Sequence, residues 1–355
     1  MAKLKIAVLF GGASKDHDVS LKSAYSVLNG LSPSKYEIIP IGITKAGRWL
    51  YYPGSYEAVA NGSWESDPDC CPAILSPDYV HHGIMKFYGN DDVSGQRVDI
   101  VFSLLHGKYG ESGRIHSLCK LAGISFLGSG PEASCNCLDK MQYRMMLNKA
   151  GIDTVSYYYF ERSEIVNLDK NIEKMENLLS YPVYVKPASC SSAIGANIAF
   201  DREELVSALK IAFSHHHKAI ADQTLNGREL SCAVYENMGK IFTTGICEIA
   251  RSQSGIDENC NYIAKTGTLQ YSAELTEQQE SKIKTTAEKI FRIMDCSGFA
   301  RIDFTLCEDK LYCCKIATMP GFAEESVFPV LMKSAGFSYE EMLDMLIENA
   351  LENKS

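Results

Sequence analysis

Strand, helix and strand alternate along the N-terminal third of the chain, which predicts an α/β protein built on a parallel sheet. Three stretches carry that prediction. Leu4 to Phe10 is a continuous apolar run ending in Gly11-Gly12, the pattern of a strand buried on both faces that enters a tight turn. Val19 to Leu31 then reads as a helix. A second buried run, Val98 to Leu105, is followed by a glycine-rich turn, a helix from about Ser112 to Ala122 and a strand through Ile124-Ser-Phe-Leu127.

Between these runs, roughly Lys45 to Gln96 is irregular and rich in Gly, Pro, Asp, Ser and Tyr. It reads as an insertion of short strands and loops, with Trp49 and Trp64 packing locally. After Gly128-Ser-Gly130 come a helix from about Lys140 to Lys149, a strand near Val155–Phe160 and a charged helix near Ile165–Leu179. The strand Val183–Lys186 precedes a small-residue loop, Ala188 to Gly195. The strand Ala196–Phe200, the helix Glu203–Phe213 and a strand near Ala219–Asp222 complete this unit.

The last third begins near Gln223, with a strand at Glu229–Glu236 and a loop from Arg251 to Gln270. Thr276-x-x-Gln279 is a capping box for a helix whose apolar face holds Ile283, Ala287, Ile290, Phe291 and Met294. Gly298–Leu306 and Leu311–Gly321 read as two strands across a turn at Glu308-Asp309-Lys310, with a Pro320-Gly321 break after the second. Ser338-x-x-Glu341 caps a final helix with Met342, Leu343, Leu346, Ile347 and Ala350 on one face.

At 355 residues the chain suits two or three packed domains. Its 46% hydrophobic and 22% charged residues are those of a soluble globular protein. A net charge of −9 argues against nucleic acid as the main partner, because no excess of cations exists to neutralise phosphates. The apolar run after Met1-Ala-Lys-Leu-Lys is too short for a signal peptide or a membrane span, so a cytoplasmic protein with no membrane partner is expected. Thirteen cysteines contain no Cys-x-x-Cys and read as reduced, buried thiols. His215-His216-His217 reads as a polar helix end, since adjacent side chains on a helix diverge.

Two segments suggest anion binding. Gly11-Gly12-Ala-Ser-Lys-Asp16-His-Asp18-Val-Ser20 opens a helix with small residues and free N–H groups. Lys186 lies on a strand ahead of Pro187 and the small-residue loop, where backbone amides can cradle phosphate oxygens.

Taken with His106-Gly-Lys-Tyr-Gly-Glu111-Ser-Gly113, Gly128-Ser-Gly130, Leu138-Asp139-Lys140, Asp222-Gln-Thr-Leu225-Asn-Gly227-Arg-Glu229, Tyr262-Ile-Ala-Lys265-Thr266 and the last hairpin, these segments make the chain resemble the D-alanine–D-alanine ligase family of ATP-grasp enzymes. The resemblance runs from Leu4 to Leu351. It implies a three-domain ATP-grasp fold: an N-terminal parallel-sheet domain over 1–128 with its insertion at about 45–96, a central subdomain over 129–222, and a C-terminal domain over 223–355 that carries a metal and oxyanion site. It also implies a homodimer.

The implied reaction moves the γ-phosphoryl group of ATP onto a D-alanine carboxylate, and a second D-amino acid then attacks the acyl phosphate. The product is a dipeptide for peptidoglycan precursors. Lys140, Lys186 and Lys265 are implied on the ATP phosphates, with Asp222, Gln223, Leu225 and Glu229 around adenine and ribose. Asp16 would hold the first substrate's ammonium, Ser192 would orient substrate, Ser326 would receive the second carboxylate, and Arg301 with the Gly321 amide would stabilise the oxyanion. Asp303 would bind one or two Mg2+ ions.

Several positions depart from the family pattern. Asp16 stands for Glu, Ser191 for Gly, Ala193 for Ser and Thr266 for Tyr, while Lys315 and Ala317 stand where the family carries the metal ligands Glu and Asn. Related D-alanine–D-serine and D-alanine–D-lactate ligases also lack the loop tyrosine. The departures leave two expectations: a ligase with an altered metal site and second-substrate pocket, or an impaired homologue that binds nucleotide or a D-amino acid as a regulatory module.

Overall fold

The computed structural model describes residues 3–89, 92–190, 194–250, 268–270 and 273–352. Its first sheet has eight strands, in the order Asp92–Arg97, Gly83–Gly89, Cys71–Leu75, Trp49–Tyr51, Tyr36–Ile43, Leu4–Gly11, Ile100–Ser103 and Ser125–Phe126. The last four of these run parallel, as the alternation of strand and helix requires. Leu4–Gly11 is buried on both faces. Ile6, Val8 and Phe10 enter one apolar cluster, while Ala7 and Leu9 enter another on the opposite side.

Tyr36–Ile43 is a strand that the sequence reading passed over, because Pro40 interrupts its apolar run. The expected irregular insertion is more ordered than its composition suggests, since its four strands extend the parallel sheet by antiparallel pairing. Trp64 does pack locally. It is fully buried edge-on to Phe10, with ring centroids 5.1 Å apart, and a Cβ at Gly42 would come 2.2 Å from its ring. Trp49 packs against the cluster on the other face.

The second sheet is antiparallel and orders Asn197–Ala199, Val183–Pro187, Lys218–Gln223 and Tyr157–Glu161. Ile172 and Met175 of the helix Leu168–Glu176, and Leu205, Leu209 and Ala212 of the helix Arg202–His215, share a core with Val183, Val185 and Phe160. The charged helix expected over Ile165–Leu179 is split, with a 3-10 turn at Arg162–Asn167 before the α-helix. His215 ends its helix, as the polar reading expected.

The third sheet is antiparallel, in the order Thr268–Gln270, Lys240–Ala250, Arg228–Asn237, Phe299–Cys307 and Lys310–Ala317. The helix Glu277–Ile293 packs Ile283, Ala287, Ile290 and Phe291 on it and starts with the predicted capping box. The final helix, Tyr339–Glu352, is capped by reciprocal bonds between Ser338 and Glu341. Most of the loop expected from Arg251 to Gln270 lies outside the described residues.

One aromatic cluster joins the first sheet to the third. Phe322 lies 5.0 Å from Phe102 and 5.4 Å from Phe299, centroid to centroid, and Phe328 closes the group. The C-terminal hairpin is thereby fixed beside the ends of the parallel strands. The described cysteines are free thiols, and no described helix is long and apolar enough to cross a membrane. Trp64→Ala should cost about 3–5 kcal/mol of stability, measured by urea unfolding. A loss below about 1 kcal/mol would show that the ring does not anchor the extended sheet.

Candidate functional site

A cavity of about 250 Å³ opens between the second and third sheets. Val155, Ile198, Leu225 and Tyr184 give it apolar and aromatic walls, while Arg144, Lys186, Asp222, Glu229 and Cys314 supply polar groups. A cavity lined by apolar and aromatic side chains together with cationic groups suits a planar ring that carries an anionic tail.

The charged groups come from three elements. Asp139 caps the helix Lys140–Lys149 by accepting from the Met141 and Gln142 N–H groups, so Lys140 and Arg144, one turn apart, project from its first turns. Lys186 lies on the strand Val183–Pro187, and Asp222 lies on the neighbouring Lys218–Gln223. The buried Asp222 carboxylate accepts from both terminal Arg144 guanidinium nitrogens, Nη1 and Nη2, and, at 2.7 Å, from the Lys186 ammonium. Burial alone would raise its pKa, but the two cations hold it well below the usual carboxylate range.

Lys140 is in a different position. Its ammonium donates to the Cys190 carbonyl. Burial pushes its pKa down to about 7, and the charges of Lys186, Lys315 and Arg144 push the same way. A lysine among cations in a low-dielectric site lowers its energy most by gaining an anion. Gln223 lies in the wall but commits its side chain to the Ser180 backbone, with contacts of 2.9 and 3.0 Å.

The hairpin of the third sheet faces the same region. Arg301, Asp303 and Thr305 alternate onto one face of Phe299–Cys307. The partner strand has a bulge: Asp303 pairs with Lys315 but Phe304 with Cys313, so Cys314 is the extra residue. The bulge turns Cys314 into the cavity, with its sulfur 3.0 Å from the Thr305 hydroxyl. Both Asp303 oxygens are engaged. Oδ1 accepts from Arg301 Nε at 2.8 Å and from the Ser231 hydroxyl at 2.7 Å, and Oδ2 accepts from Arg301 Nη2 at 2.8 Å. Ala317, opposite Arg301, offers no side-chain ligand.

Asp16 approaches from the first sheet. A Cβ at Gly107 would lie 2.6 Å from its carboxylate, so this glycine, at φ +74°, makes room for it. Burial and the neighbouring Glu111 raise the Asp16 pKa, and the Lys315 charge opposes them. His106 is buried beside the same groups, with Nε2 at 3.4 Å from the Ser23 hydroxyl, which also accepts from the Phe322 N–H. Gly321 sits against the Ser326 hydroxyl, which a Cβ there would meet at 3.0 Å.

The structure therefore brings Lys140, Lys186, Asp222, Gln223, Leu225 and Glu229 around one cavity and its cationic groups. Arg301, Asp303, Lys315 and Asp16 stand in electrostatic contact beside it. Ser192, Lys265 and Thr266, with Ser191 and Ala193, lie outside the described residues.

Profiles of two family segments match the chain: "D-ala D-ala ligase N-terminus" over residues 5–129 and "D-ala D-ala ligase C-terminus" over 146–348. The chain belongs to the D-alanine–D-alanine ligase family. A D-alanine–D-alanine ligase of Acetivibrio thermocellus is 36% identical, with 99% of this chain and 96% of that protein covered. D-alanine–D-alanine ligase B of Clostridium tetani is 34% identical over 100% and 95%. Among solved structures, the VanG D-Ala:D-Ser ligase of Enterococcus faecalis superposes with a TM-score of 0.90 at 32% identity, covering 98% of this chain and all of that one. The Coxiella burnetii D-alanine–D-alanine ligase gives 0.84 at 25%, over 100% and 95%.

Family membership fits the α/β architecture seen here, but the residue reading had missed Arg144, Tyr184, Ser231, Thr305 and Cys314. Arg144 left a signal, since it lies four residues after Lys140 on the same helical face. The others come from strands whose faces only the sheet assembly reveals. Asp222→Asn should destabilise the protein by about 3–5 kcal/mol in denaturant unfolding, because the buried Arg144 loses its counter-charge. A loss below about 1 kcal/mol would show that Arg144 finds another partner.

Proposed function

We propose that this chain is an ATP-dependent ligase that joins D-alanine to a second D-amino acid through an acyl phosphate. The observation that carries this reading is the buried Arg144 and the partly buried Lys186 in the wall of a base-sized cavity, with the partly buried Lys140 one helical turn from Arg144, within a chain similar to D-alanine–D-alanine ligases over nearly its whole length. In this reading Lys140 and Lys186 hold the phosphates. Asp222 orients Lys186, Leu225 and Gln223 line the adenine, and Glu229 bonds the ribose. Lys265 would reach the γ-phosphate.

Asp16 receives the ammonium of the first D-alanine, assisted by the neighbouring Glu111. Arg301 and the Gly321 amide face the developing oxyanion, where fixed donors act most strongly. Ser326 takes the second carboxylate, while Ser192 and Thr266 complete the substrate pocket. A carboxylate is a poor electrophile, so phosphorylation creates the leaving group that the amine displaces. Exclusion of water from the cleft favours the amine over hydrolysis.

We carry a division into units at 1–128, 129–222 and 223–355, supported by the three separate sheets, and a cytoplasmic homodimer into the same proposal. The closely superposing D-Ala:D-Ser ligase supports D-serine as an alternative second substrate. A binding-only homologue is the second reading. It is favoured by Lys315 and Ala317, which stand where the family hairpin carries two metal ligands, and by the full engagement of Asp303.

Phosphate release from ATP decides between them. D-alanine should be required, and D-serine or D-lactate beside it identifies the acceptor by the larger rate. No release across the panel, with ATP still bound, would establish the binding-only reading. Arg301→Ala should lower turnover by roughly 100-fold.

Lys140 predicts a pH effect. Its amine, near 7 in the free protein, is mostly neutral at pH 8, and bound phosphates restore its charge. ATP binding should therefore take up a proton, and affinity should fall as pH rises from about 7 to 9. Calorimetry at pH 8 in buffers of different ionisation enthalpy measures this uptake, and Lys140→Met should abolish it. Uptake unchanged in that variant would assign the proton elsewhere.

A further inference from the structure

The residues facing the polyphosphate end do not fit a resident divalent cation. Mg2+ takes oxygen donors in octahedral geometry, and here the side-chain donors are few and mostly engaged. Both Asp303 oxygens accept bonds from Arg301, one of them also from Ser231. Ala317 has no side-chain ligand atom, and the residue directly across the sheet from Asp303 is Lys315. Among the described residues no group of three His, Cys, Asp or Glu side chains could hold a metal ion.

We propose that this protein binds the nucleoside triphosphate as the metal-free anion, with the Lys315 ammonium supplying the positive charge at the hairpin. The register places Lys315 on the face of Arg301 and Asp303. Its charge is felt by Asp16, His106, Asp303 and Lys140.

Among the carboxylates Asp222, Asp303, Asp16 and Glu111 stand the cations Lys140, Lys186, Arg144, Arg301 and Lys315. A divalent cation would cancel part of the triphosphate charge that these side chains already meet, and it would sit in the field of Lys315. A lysine ammonium has three N–H donors that can reach phosphate oxygens, but its single charge neutralises less than a divalent metal would. The inference rests on the nucleotide-site reading alone and holds whether or not ligation follows.

Calorimetric titration of the full chain with ATP, once in EDTA and once in excess Mg2+, tests it. Affinity in EDTA should be within about threefold of that in Mg2+ or tighter. Lys315→Met should weaken binding in EDTA by roughly tenfold and leave binding in Mg2+ less affected. The double variant K315E/A317N should reverse the preference and require Mg2+.

A wild-type affinity that falls by about tenfold or more in EDTA would overturn the proposal while leaving the nucleotide site in place. Absence of ATP binding in both buffers would remove the nucleotide site as well. The two wild-type titrations decide the matter even where the variants do not fold.

Discussion

The Asp222 carboxylate lies at the meeting point of a helix and two strands, and the cleft takes its shape from how that one negative charge is shared. Arg144 comes to it from the helix Lys140–Lys149 and Lys186 from the adjacent strand. An arginine as completely buried as Arg144 is tolerable only with its charge met and hydrogen-bonded, so the helix is held against the sheet at that point. The same bond keeps the Lys186 ammonium from swinging into solvent. Among the described residues Lys140, one turn earlier, meets no such carboxylate, and its proton is correspondingly loosely held. One lysine is thus oriented by an internal anion, and the other is left to respond to an external one.

A second constraint acts at longer range. Phe102, Phe299, Phe322 and Phe328 form an aromatic knot between the parallel sheet and the C-terminal hairpin. Apolar area on four rings is a large stabilisation that depends on the two sheets staying in one orientation. Because the knot lies beside the strand ends, it delivers Asp16 and His106 to the neighbourhood of Lys315 and Arg301. Groups nearly 300 positions apart in the chain then share one electrostatic environment.

Much of this architecture was legible along the chain. The buried strand Leu4–Gly11, the helix Lys140–Lys149, both C-terminal capping boxes and the last hairpin were read close to where they occur, since each is written in local periodicity or local hydrogen-bonding chemistry. The strand Tyr36–Ile43 was not legible, because a proline in an apolar run is a stronger local signal than the neighbours that pair with it. The region after Lys45 looked irregular for a similar reason. Its short strands become regular only against a sheet edge that already exists.

Residue order alone determined the family, the cations Lys140 and Lys186, and the presence of Lys315 and Ala317 on the hairpin, because these are matters of residue type and spacing. Tertiary structure decided how those groups are used. It alone paired Asp222 with Arg144 as well as Lys186, closed Asp303 between Arg301 and Ser231, and inserted Cys314 as a bulge that sets Lys315 across from Asp303. A charge is encoded in one residue, but its balance is a property of every group within a few ångströms. Those neighbours come from strands that only sheet register brings together.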